Sequence, residues 1–110
     1  MERIPDEALV VRGGRNQAED FVRGTGTHPS GITGVSVECD VGRTVEELAA
    51  GLPHWQIGVT TVAAVRAAGG DVVRTTGRSR SHATLTGLEP LVASRLLTPT
   101  VPNPARIKKN

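Results

Sequence analysis

The stretch GVSVEC (Gly34–Cys39) alternates apolar and polar residues, and that alternation sets the fold class. Successive side chains on a strand point to opposite faces, so Val35 and Val37 share one face and Ser36 takes the other. The same period returns in WQIGVT (Trp55–Thr60), where Trp55, Ile57 and Val59 fall together, and in HATLT (His82–Thr86), where Ala83 and Leu85 do. ALVV (Ala8–Val11) and DVVRT (Asp71–Thr75) add two more β-branched runs. Strands with one polar side imply a sheet covered by helices on one face and open on the other.

Helix starts lie between these runs. NQAE (Asn16–Glu19) and TVEE (Thr44–Glu47) each place a capping residue three positions before a glutamate, so that side chain and backbone satisfy each other's orphan donors. Each segment then runs to a glycine, Gly24 or Gly51, where a left-handed C-cap would sit. A third helix follows Thr61 through VAAVRAA to Gly69, and a fourth opens near Pro90 and covers LVASRLL before Pro99. The order β-α-β-α-β-α-β-β-α predicts an α+β domain. Its sheet would be twisted, mostly antiparallel or mixed, with about five short strands and helices packed mainly on one face.

The chain has 110 residues, enough for one domain over residues 1–98 that buries about two-thirds of its unfolded surface. Residues 99–110 hold three of the seven prolines and a basic end, and read as an extended arm ordered only where it docks. One Phe, one Trp and no Tyr make the core aliphatic and leave no set of exposed rings on which bases would stack. Thirteen basic residues against eleven acidic ones leave a net charge of +2, and every basic residue except Lys108 and Lys109 is arginine. Arginine's planar fork suits phosphate, so a local anion site needs no basic overall field. The lone Cys39 forms no internal disulfide, and no Cys/His spacing suits zinc, which points to a reducing cytoplasm and to no metal or other cofactor. Neither a leader nor a run of ~18 apolar residues occurs, so the expectation is no membrane partner and a cytoplasmic protein, or the tip of a larger exported one. The glycine pairs lack the spacing of a dinucleotide or P-loop fingerprint.

Two stretches invite chemistry. In RSRSHATLTG (Arg78–Gly87), inward Ala83 and Leu85 leave Arg80, His82, Thr84 and Thr86 on the open face. An imidazole beside hydroxyls and arginine is equipped to move a proton. In RGGR (Arg12–Arg15), Gly13 and Gly14 let backbone amides approach a ligand while Arg12 and Arg15 clamp a phosphate. The combination suits metal-independent phosphodiester cleavage, with His82 as acid/base, Arg12 and Arg80 on the phosphate and Thr84 or Thr86 orienting. Plainer readings stand beside it. A polar strand face is commonly solvated surface, RGG is commonly a strand ending in a tight turn, His28 reads as a surface residue of a flexible loop, and His54, just after a proline turn, as a local hydrogen-bonding residue. The capping glutamates read as structural.

Taken together, LVVRGG, GVSVEC, VTTVAAVRAAGGDVV, HATLTGL and TPTVPNP resemble a group of small bacterial proteins and toxin-tip domains of toxin–antitoxin and inter-bacterial competition systems. The resemblance spans most of the chain. It implies a small toxin-like effector whose first expected activity is that of a ribonuclease, with RNA and an antitoxin or immunity protein as partners. VRGG and GVSV also resemble the opening strands of ADP-ribosyltransferases, which would place Arg12 and Ser36 on NAD. The chain departs from that pattern where HATLT carries His instead of a third-strand Glu, and in having no Tyr to stack nicotinamide. A non-enzymatic interaction module, using the open sheet face or the ARIKKN arm, is the third reading.

Overall fold

The computed structural model describes residues 2–75, 77 and 79–106. Arg78 and residues 107–110, with the Lys108 and Lys109 expected on the arm, lie outside the described residues. The strands are β1 (Leu9–Gly13), β2 (Gly26–Thr27), β3 (Thr33–Asp40), β4 (Gln56–Thr61), β5 (Asp71–Arg74), β6 (His82–Thr86) and β7 (Val101–Pro102). The helices are α1 (Ala18–Gly24), α2 (Val45–Ala49), α3 (Val62–Ala67) and α4 (Pro90–Leu96), followed by a 3-10 turn at Pro104–Arg106. The sheet runs β5-β6-β3-β1-β4-β7, with β2 beside the start of β3, and every pairing is antiparallel. Among the described residues the fold is therefore α+β with an antiparallel sheet of seven strands, two more than the sequence suggested. The additions, β2 and β7, are two residues long, too short to show a period.

Register places the residues by face, because opposed residues in an antiparallel ladder share a side. Val10 faces Cys39, while Val35 and Val37 face Leu85 and Ala83. These six pack with Phe21 of α1, Val62 and Val65 of α3, and Ala93 of α4 in one aliphatic core. Each fully buried Val, Leu or Phe side chain among them contributes about 1.5–3 kcal/mol. The other face is partly covered by α2, whose Leu48 and Ala49 bury Val11 and Ile57. Three helices thus lie on one face and the fourth on the other, leaving the area over β3, β6 and β5 open. Among the described residues, no helix is long and apolar enough to cross a membrane.

The capping signals vary in position. Thr44 caps α2 as read, its Oγ1 accepting from the Glu47 amide at 3.1 Å while Glu47 Oε1 accepts from the Thr44 amide at 2.9 Å. At α1 the cap shifts by one residue, and Asp20 Oδ2 accepts from the Gln17 amide at 2.9 Å. Asn16 is instead buried at φ 55, with its Nδ2 donating to the Arg12 carbonyl at 3.0 Å. A left-handed glycine follows α3, at Gly69 with φ 97, rather than standing at Gly24 or Gly51. The C-terminal segment docks through β7 on β4, and Asn103 Nδ2 donates to the His54 carbonyl at 2.9 Å. Trp55 is 66% exposed, with the Arg106 guanidinium 4.9 Å above its ring.

The α2 cap yields a stability test. Thr44→Ala should cost about 1 kcal/mol in urea denaturation at neutral pH. Hydrogen bonds from the Thr44 backbone and side chain hold the Glu47 carboxyl below its usual range. Its contribution is therefore present above the unfolded carboxylate pKa and lost as pH falls through the lower folded value. Glu47→Gln should accordingly make unfolding less sensitive to acid over that window.

Candidate functional site

The open face over β3 and β6 forms a hollow of about 700 Å³, bounded by the loop of Gly24 to His28 and the turn carrying Gly77 and Ser79. His82, Thr84, Ser36 and Glu38 rise into it from the two strands. Their grouping follows from register, since Ser36 opposes Thr84 and Glu38 opposes His82. Ala83 and Leu85 are buried on the far side, as their alternation requires.

The His82 ring is held at both nitrogens. Nδ1 lies 2.9 Å from the Thr75 carbonyl and 3.0 Å from the Thr75 hydroxyl. A carbonyl only accepts, so Nδ1 carries the ring proton and Nε2 keeps its lone pair. That lone pair stands 3.2 Å from Ser36 Oγ in the hollow. Thr75 Oγ1 is also 2.9 Å from Thr84 Oγ1, which ties the buried end of the network to β6. Gly77 packs against the ring so closely that a Cβ there would come within 2.8 Å of it.

A second imidazole borders the same hollow. The His28 and His82 ring centroids are 6.2 Å apart at 32°. His28 Nδ1 accepts from the Ser30 amide at 3.0 Å, with Ser30 Oγ 2.8 Å away. The loop that reads as featureless in sequence thus positions a histidine beside the strand histidine.

The other expected site residues are distributed around this center. Arg80 is exposed in the turn before β6, next to Ser79, and does not line the hollow. Thr84 lines it and is 5% exposed. Thr86 donates to the Thr33 carbonyl at 2.6 Å and borders an apolar groove between the sheet, α1 and α4. Arg12 shares the helix-covered side with Val10; its guanidinium lies 5.3 Å from the Phe21 ring and donates from Nη1 to the Ser36 carbonyl at 2.7 Å. Arg12 and His82 therefore do not share one hollow but meet β3 at the same residue, Ser36, one at its carbonyl and the other at its hydroxyl. Burial lowers the Arg12 pKa, with Asp20 acting the other way.

Gly13, Gly14 and Arg15 close β1 in a turn lying against the His54 ring. A Cβ on Gly13 would fall 2.1 Å from His54 Nδ1, and Gly14 has φ 97. The Gly14 amide donates to the Gln56 carbonyl at 2.9 Å, so that amide is engaged within the fold rather than turned to a ligand. Cys39 is buried on the core side, where burial, opposed by Arg74, pushes its thiol up to about 11 and keeps it from serving as a nucleophile. Among the described residues, no group of three His, Cys, Asp or Glu is placed to hold a metal ion.

Sequence reasoning assigned Ser36 only to the transferase alternative and passed over Glu38, although both alternate with Val35 and Val37. Thr75 follows the period of Val73. His28 had no periodic signal. No family model, curated protein or solved structure gives a significant match to the chain.

The His82 geometry has a direct spectroscopic test. Long-range ¹H–¹⁵N correlation on the neutral ring should show Nδ1 protonated and Nε2 bare. The opposite tautomer would remove the base from the hollow. Gly77→Ala, by crowding the ring, should shift its resonances more than Gly31→Ala does.

Proposed function

We propose that the chain is a metal-independent ribonuclease of the small toxin-effector kind, cleaving RNA within the His82 hollow. The observation that carries this reading is the His82 Nε2 lone pair, fixed by the Thr75 carbonyl and presented to a hydroxyl at 3.2 Å. A ribose 2′-hydroxyl entering the hollow would replace Ser36 Oγ as the partner of Nε2. His82 takes the 2′-proton, O2′ attacks phosphorus, and the bond to the 5′-oxygen breaks, giving a 2′,3′-cyclic phosphate. The leaving oxygen takes a proton from the His28 imidazolium, whose Nδ1–H turns to Ser30 Oγ, 2.8 Å away. Proton exchange with water resets both rings. Glu38 stands opposite His82 in the ladder and lines the same hollow.

A second reading, transfer of ADP-ribose from NAD, is supported by the Arg12–Ser36 hydrogen bond and by the Glu38 carboxylate in the hollow. A carboxylate suits the positive charge that develops on a ribosyl carbon. The two readings separate in one experiment, incubation of the protein with end-labelled RNA or with labelled NAD and cell extract.

The expected result is RNA cleavage that survives chelation of divalent ions, yields cyclic-phosphate ends and spares substrates with 2′-deoxyribose at the scissile position. His82→Ala should lower the rate about 10²–10⁴-fold. His28→Ala should also lower the rate, by removing the proton donor to the leaving oxygen. Cleavage that persists in His82→Ala, or label transfer from NAD without RNA cleavage, would overturn the ribonuclease reading.

A further inference from the structure

The His82 hollow continues along β3 into two smaller depressions. Ser36, Glu38 and Leu52 border both the hollow and a neighbour of about 230 Å³; Arg12, Gly13 and His54 join that neighbour to a notch of about 390 Å³ at the end of β1. The notch is lined by Arg12, Arg15, Arg23, His54 and one acid, Asp20. Asp20 is already engaged by Arg23 and the Gln17 amide. Arg12 is pinned by the Ser36 carbonyl and the Phe21 ring, so its charge stays at the notch. Among the described residues Arg15 forms no ion pair, and it is exposed at the rim. With Arg23 paired to Asp20, the Arg12 and Arg15 guanidiniums are left to form a cationic site suited to phosphate oxygens.

We infer that this notch is a phosphate-binding subsite, holding a phosphate of a ligand whose reacting end lies in the His82 hollow. The inference rests on the catalytic reading only for what lies in the hollow; the anion site stands on the arginines. Glu38 and the hydroxyls of the hollow offer little to a phosphate by themselves, so the notch supplies the electrostatic hold at a distance from the bond that breaks. The phosphate belongs either to a neighbouring nucleotide of an RNA strand or to the pyrophosphate of a dinucleotide. Both present the same oxygens to the same forks.

The test is an NMR titration of the full chain with inorganic pyrophosphate at constant ionic strength. Saturable shifts are expected at Gly14, Arg15, Arg23, Gly24 and His54. Arg15→Glu, an exposed change that keeps the fold by circular dichroism, should raise the Kd about tenfold or more. Shifts that do not saturate, or an unchanged Kd in Arg15→Glu, overturn the subsite. Repeating the titration in His82→Ala with oligouridylate and with NAD identifies the source, since the true ligand's shifts extend from the notch to Ser36. If Arg15→Glu weakens pyrophosphate binding while His82→Ala still cleaves RNA, the catalytic reading fails and the subsite stands. If the charge reversal leaves binding intact while His82→Ala abolishes cleavage, the subsite fails alone.

Discussion

The two-sidedness of β3 is the constraint on which the molecule depends. Val35, Val37 and Cys39 are sealed against the helix layer, and the period of the strand then turns Ser36 and Glu38 to the opposite side. A one-residue slip would exchange the sets, burying a carboxylate and a hydroxyl in an aliphatic core. Packing on one face therefore protects the polar arrangement on the other. β6 obeys the same rule through Ala83 and Leu85, and the shared register sets His82 beside Glu38 and Thr84 beside Ser36.

Helix placement decides which part of the polar face stays accessible. α2 covers Val11 and Ile57, where β1 and β4 carry apolar residues on that side. Over β3 and β6 the corresponding positions are Ser36, Glu38, His82 and Thr84, which offer a helix little apolar surface to bury. The loop of His28 and the turn of Gly77 border this region instead. The protein thus excludes water where its strands are apolar and leaves a hollow where they are not.

Much of this was legible from alternation and capping. The period of GVSVEC and HATLT gave the faces of the two strands that build the site, and TVEE located the α2 cap. NQAE misled by one residue because Asn16 packs inside at a left-handed angle, with Ser94 Oγ donating to its carbonyl at 2.7 Å. Tertiary packing there outweighed the local capping preference. The grouping of Arg12 with His82 did not follow from pattern, since both lie on strands but on opposite sides of the sheet. His28 lay beyond any periodic argument, because a loop's course depends on the surfaces it crosses. Short β2 and β7 escaped for a related reason: two residues of strand acquire meaning only from the partner they meet.

The stack of Arg106 over Trp55 has an optical consequence. The chain has one tryptophan and no tyrosine, so its near-ultraviolet emission comes from one indole. That indole is largely open to water, with a guanidinium from the docked C-terminal segment close above it. Release of the segment would change the indole's surroundings while leaving the aliphatic core in place. The native chain thus carries a built-in fluorophore for separating detachment of the Pro104–Arg106 turn from global unfolding.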